Sequence, residues 1–216
     1  MLLHSLQSVL LVLALPAVLP AQAPLPSAPR RRASVGAEVG YSRTTLSGPD
    51  AQGLRSRQGA ITGLFVQAPL GGPLSLRPEL LFALKGGRAE ANVEGGGTAQ
   101  LDIELAYIEV PLLLRVGLPR GRVRPMLFGG PAGALQIGCD LQLIGSDQPV
   151  RSTCDAAEFA VFRQLDFAFV VGGGIEVRWP QSSLSLEGRY TGGLRSVLDQ
   201  FDVRNRGYGV VLALTF

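Results

Sequence analysis

Ten ionisable residues fall on alternating positions of extended, apolar-patterned stretches: Glu38, Arg77, Glu79, Lys85, Glu109, Arg115, Glu176, Arg178, Glu187 and Arg189. Five are acids and five are bases. Such groups gathered in one space can move protons, pass a solute, or neutralise one another. Activating a Ser or Cys nucleophile calls for a neighbouring base, usually histidine. The only histidine is His4, inside the N-terminal stretch 1–23 that reads as a signal peptide. An acyl-hydrolase arrangement therefore has no imidazole to use, while an Asp/Glu mechanism stays open. Charges confined where water is scarce are stable only when paired. The five-against-five balance favours a plug of paired charges over a narrow solute path.

Other chemistry-bearing motifs are weaker. Gly95–Gly97 and Gly172–Gly174 lack the Lys-Ser/Thr that follows a phosphate-cradling loop. Two cysteines, Cys139 and Cys154, are too few for a zinc site and in an exported chain read as one disulfide. They would staple a long loop over 138–164. No catalytic, cofactor or metal site is expected. Arginines are dispersed without aromatic interleaving and the net charge is only +3, so nucleic acid is not an expected partner.

The charges must be positioned by strands. The clearest is the last: Tyr208, Val210, Leu212, Leu214 and Phe216 alternate with Gly209, Val211, Ala213 and Thr215. A period of two is a strand with one apolar face. Its aromatic final residue is expected to close a barrel in lipid rather than fray in water. Similar alternation covers 33–46, 58–70, 74–85, 165–178 and 183–191. Over 99–117 the apolar phase switches from odd (Leu101, Ile103, Leu105) to even (Ile108, Val110, Leu112, Leu114). One inserted residue near Ala106 would repair this, so a β-bulge is expected there. Pro111 cannot donate to a ladder and marks a local distortion. The stretch 122–137, broken by Gly and Pro, is a fifth strand whose faces the pattern leaves unassigned.

This makes eight strands. Their connections alternate between long (47–57, 86–98, 138–164, 192–204) and short (71–73, 119–121, 179–182). Short turns at one rim and long loops at the other fit a transmembrane barrel. An even count returns both termini to the short-turn rim. No stretch after the N-terminus supplies the roughly 20 apolar residues of a membrane helix. The mean hydropathy is nevertheless positive, which leaves a buried soluble β core or a barrel facing lipid.

At the N-terminus, Val9–Leu19 is too short to span a bilayer as a helix, and Ala21-Gln22-Ala23 fits a small-x-small cleavage site. Residues 1–23 read as a signal peptide, 24–32 as a Pro/Arg-rich leader and 33–216 as the barrel domain.

The segment Leu105–Arg115, LAYIEVPLLLR, resembles the Pro-bearing strand of the porin-like, PorT-type outer-membrane β-barrel family. Phe128–Pro131 and Val171–Glu176 are similar to that family's following strands. The resemblance implies an outer-membrane location and casts Phe216 as an assembly signal. It implies fold and compartment more than activity.

The expectation is an all-β, eight-stranded up-and-down antiparallel transmembrane barrel with short periplasmic turns and long extracellular loops. It would be non-enzymatic, with a structural role or recognition through its loops. Its partners would be outer-membrane lipids, the barrel-assembly machinery and an extracellular or periplasmic protein, with the chain itself a monomer. A lipocalin-like soluble barrel has the same alternation with its faces inverted, and strand length and the apolar end weigh against it. A narrow channel and a lipid-modifying barrel enzyme are the remaining alternatives.

Overall fold

Alternation of the kind seen in 208–216 becomes nine strands among the described residues of a computed structural model. The described residues are 32–49, 54–93, 97–118, 121–144, 150–153, 164–196 and 202–216. The expected signal peptide and nearly all of the leader lie outside them. The strands are β1 (Ser34–Ser47), β2 (Arg55–Gly71), β3 (Leu74–Val93), β4 (Gly97–Gly117), β5 (Val123–Ile144), β6 (Val150–Thr153), β7 (Leu165–Arg178), β8 (Ser183–Gly193) and β9 (Arg204–Thr215). The sheet runs β4-β3-β2-β1-β9-β8-β7-β5, and a further β4–β5 pairing closes it. Eight antiparallel strands thus form a ring without a free edge, and β6 adds to the upper end of β5. The first and last strands meet at the seam, with Val39 opposite Leu212. There Phe216 N–H donates to the Val35 carbonyl at 2.8 Å.

A closed ring satisfies the backbone through its neighbours and leaves the side chains to sort between wall and interior. Along β9 and the residue that follows it, Tyr208, Val210, Leu212, Leu214 and Phe216 are exposed, while Val211 and Ala213 are fully buried. The interior is therefore polar and small-residued, and the outer wall is apolar. That excludes the inverted, lipocalin-like arrangement of faces. Aromatic side chains mark both ends of the outer wall. Trp179 lies beside the short turn before β8, and Phe169, Tyr190 and Tyr208 form a tilted stack higher up, with centroids 5.8 and 5.1 Å apart.

Several boundaries differ from the expectation. The stretch 86–98 is mostly ladder, since β3 and β4 pair as far as Val93 opposite Gly97. Region 138–164 is not one loop: β5 continues to Ile144, and β6 folds back on it with Asp140 opposite Thr153. Above the apolar wall these strands face water on their outer side, so the alternation that marks a strand in lipid disappears although pairing continues.

The same change of surroundings corrects the bulge in β4. The β3–β4 ladder keeps one register from Leu74–Val116 to Val93–Gly97, and no residue is inserted in β4. Leu105, Tyr107, Glu109, Pro111, Leu113 and Arg115 all point inward. The interior changes instead, from charged in its lower part to apolar towards the long-connection rim. The one β4–β5 register shift sets Ala106 opposite Gly138 and Tyr107 opposite Gln136, so Ile137 of β5 is the extra residue. Pro111 is fully buried, and the β3–β4 pairing omits Val110 and Pro111 opposite Glu79 and Leu80. β5 acquires faces: Met126, Phe128, Ala132 and Ala134 inside, Val123, Leu127 and Leu135 outside.

Candidate functional site: the charged interior

All ten singled-out charges lie inside the ring, nine of them buried and Arg178 partly open at the short-turn rim. They form layers. Lowest, Arg115 of β4 pairs with Glu176 of β7, which Arg178 also contacts. Arg115 further donates to Gln67 Oε1 at 3.0 Å and lies against Met126 Sδ.

The next layer crosses the interior. Arg77 and Glu79 stand on β3, Glu187 and Arg189 on β8, and the ring order puts these strands diametrically opposite. Arg77 Nη1 donates to Glu187 Oε1 at 2.7 Å, and Arg189 Nη1 donates to Glu79 Oε2 at 3.0 Å. Glu38 of β1 contacts Arg77 and lies 3.4 Å from Arg189. Each guanidinium serves three carboxylates, a use its planar fork of donors permits. Ser185 donates to Glu187 at 2.7 Å. The Arg77 guanidinium carbon sits 3.8 Å from the Phe65 ring centroid, and that of Arg189 is 5.6 Å from Phe128. Three acids against two bases leave this layer one negative charge in excess, and the Arg115–Glu176–Arg178 layer carries one positive charge in excess.

Above them Lys85 of β3 pairs with Glu109 of β4, 5.4 Å from the Tyr107 ring centroid. A cavity of about 20 Å³ adjoins them, lined by Ser42, Thr44, Lys85, Glu109 and Asn205 among others. That volume suits one water, and Ser42 Oγ and Asn205 Oδ1 are buried acceptors without a protein partner. Asn205 Nδ2 donates to Asp166 Oδ2 at 3.0 Å and to Tyr107 Oη at 3.4 Å. Higher still the interior turns apolar. Leu46 and Val203 pack with Leu54 and Ile103, and Leu105, Tyr107 and Ala134 pack with Ile103 and Cys139.

The sequence pattern brought together the ten charges but missed their company. Asp166 had the right alternation, whereas Asn205 stands between Arg204 and Arg206 on β9, where polar residues on both faces hide which one points inward. Phe65 and Phe128 read as ordinary apolar residues. The apolar cap was visible only as an unexplained change of phase in β4. Cys139 is half-buried on β5, no cysteine is free among the described residues, and Cys154 lies outside them.

A closed polar-cored ring with an apolar outer wall is the setting in which the sequence match acquires structural meaning. Residues 21–199 match the model of the outer membrane protein beta-barrel domain. The chain belongs to that family. No curated protein matches it. Among solved structures, this outer-membrane barrel is similar to Neisserial surface protein A, at 14% identity over 86% of this chain and 100% of that one, with a TM-score of 0.49. Ail of Yersinia pestis aligns at 11% identity over 86% and 100% of the two chains, TM-score 0.42. The N-terminal barrel domain of Pseudomonas aeruginosa OprF aligns at 13% over 83% and 97%, TM-score 0.31.

Proposed function

We propose that this protein is a non-enzymatic integral outer-membrane barrel whose interior is closed to solutes and whose long-connection rim serves recognition outside the cell. The observation that carries the closed interior is the β3–β8 contact across the full width of the ring: Arg77 to Glu187 and Arg189 to Glu79. An eight-stranded barrel is only wide enough for its own side chains. The apolar cap of Leu46, Val203, Ile103 and Leu105 adds a dry layer above the charges. Export by the N-terminal apolar run, insertion by the assembly machinery through Phe216 and a monomeric state accompany this reading. The Pro-bearing segment Leu105–Arg115 supports the narrower PorT-type kinship.

The test is conductance in planar bilayers. The purified barrel should give no discrete channel steps. Arg77→Ala with Glu187→Ala, which removes both ends of one cross-interior contact, should raise ion leakage only where the apolar cap is also opened by Leu105→Ser. Regular open-channel steps from the unmodified protein would establish a solute path and overturn the closed interior.

A bridge between Cys139 and Cys154 is part of the proposal. The β5–β6 ladder ends at Asp140 opposite Thr153, and the two cysteines are the next residue on either side. The bridge would staple this hairpin at its base.

A further inference from the structure

The outer wall carries charge in one sector that the interior does not explain. Arg43 of β1 and Arg206 of β9 are exposed, pointing away from the buried Ser42, Thr44 and Asn205 that flank them in sequence. The seam register pairs Arg43 with Tyr208 and Thr45 with Arg206. The two arginines are therefore diagonal neighbours, with Cβ atoms within about 8 Å. On the same face Tyr41 lies one outward step below Arg43 and Tyr208 one step below Arg206, Tyr208 standing level with Arg43 across the seam, and Tyr190 stacks on Tyr208. Arg43 thus stands level with the aromatic band and Arg206 one step above it, the zone in which hydrocarbon gives way to headgroups.

Their neighbours at this height are treated differently. Arg57 pairs with Asp102 and Glu104, Arg88 with Asp102, Arg55 with Glu90 and Arg204 with Asp202. Arg43 donates only from Nε, to Ser56 Oγ at 2.6 Å, and Arg206 has no side-chain partner among the described residues. On β1 and β9 the outward positions carry no acid. Two uncompensated guanidiniums at a headgroup level, side by side and forked, match the planar bidentate demand of phosphate.

We propose that Arg43 and Arg206 form a binding site for the phosphate of a phosphorylated glycolipid in the outer leaflet. Its acyl chains would lie on the apolar wall below Tyr41 and Tyr208. The proposal rests on the reading above that the long-connection rim faces the cell exterior.

The experiment uses the full barrel in phosphatidylcholine nanodiscs, titrated with bisphosphorylated lipid A or with the same lipid dephosphorylated, and read by native mass spectrometry. The phosphorylated form should bind about tenfold more tightly, as expected for charge-assisted hydrogen bonds. Arg43→Gln with Arg206→Gln should abolish that difference while keeping the heat-dependent gel shift of a folded barrel. Arg204→Gln, on the same wall but paired with Asp202, should leave it intact. Equal binding of both lipids, or a preference that survives the double substitution, overturns the proposal. So does displacement by a large excess of inorganic phosphate, which would mark a small-anion site. Labelling of Ser47→Cys on whole cells by an impermeant maleimide tests the orientation separately. Failure to label overturns the exterior reading and, with it, the outer-leaflet source. A preference that persists in nanodiscs would then point to a phosphate of the inner leaflet.

Discussion

Arg77 shows why a single interior residue can govern this fold. Its side chain is 2% exposed and meets Glu38, Glu79 and Glu187. Arg77→Ala would leave three buried carboxylates facing one guanidinium. Removing one partner of a buried ion pair costs about 3–5 kcal/mol, and urea-dependent refolding into lipid vesicles should show a loss of that order. Arg77→Met with Glu187→Leu should recover part of it, because an apolar pair leaves less charge unmatched. A double variant as unstable as the single one would mean that Glu187 is held independently of Arg77. The outer wall follows a different rule. Leu212→Arg places a charge on the apolar face and should cost about 2–4 kcal/mol if it lies near the bilayer midplane. Ala213→Ser, facing inward, should be nearly silent in the same assay. Arginine at position 213 would also destabilise, for a different reason, since Ala213 is fully buried between Glu38 and Ser185 on the neighbouring strands. The identity of the interior charges was legible because alternation alone assigns a face. Their partners were not, because ring order and register decide which walls confront each other.

At the scale of the element, legibility followed the surroundings of each strand. β9 and β7 alternate cleanly because one side meets an apolar medium and the other a polar interior over most of their length. β4 does not, because its upper inward residues, Ile103 and Leu105, enter an apolar cap while Asp102 and Glu104 meet Arg57 and Arg88. The chain keeps its register; the sense of inside and outside reverses. β5 was unreadable for another reason, since Gly and Pro at 129–133 carry little hydrophobic contrast. Its upper half and β6 look like a loop in sequence but form a hairpin. That hairpin is where the proposed bridge acts. Closing a segment of about 15 residues is worth roughly 3 kcal/mol of unfolded-chain entropy, but the ring itself is held by ladders on both sides of every strand. Cys139→Ser with Cys154→Ser should therefore leave a heat-modifiable barrel, and protease added to whole cells should cut near 145–163 faster. Native thiols that label without reductant would remove the bridge. Loss of assembly in the double variant would instead make the hairpin a folding element.

For the whole molecule, closure decides between lipid and water as solvent. An open sheet with this apolar face would need a second layer to cover it. No described residue covers the ring: Val39, Leu64, Leu127, Leu186 and Val210 are each more than half exposed around its circumference. Contiguous apolar exposure of that extent is unsustainable in water, and the paired charges inside remove the other option of turning the faces over. The expected behaviour follows directly. The protein should fractionate with the outer membrane, resist extraction by salt or alkali, and migrate faster on unheated than on boiled gels. The gel shift arises because the closed ladder survives detergent at room temperature and opens only with heat. Leu212→Arg should weaken that resistance, lowering the temperature at which the fast form disappears, whereas Ala213→Ser should not move it. Recovery of a folded, monomeric protein from the soluble periplasmic fraction would contradict the lipid-facing wall itself, and no rearrangement of loops or ion pairs could reconcile the two.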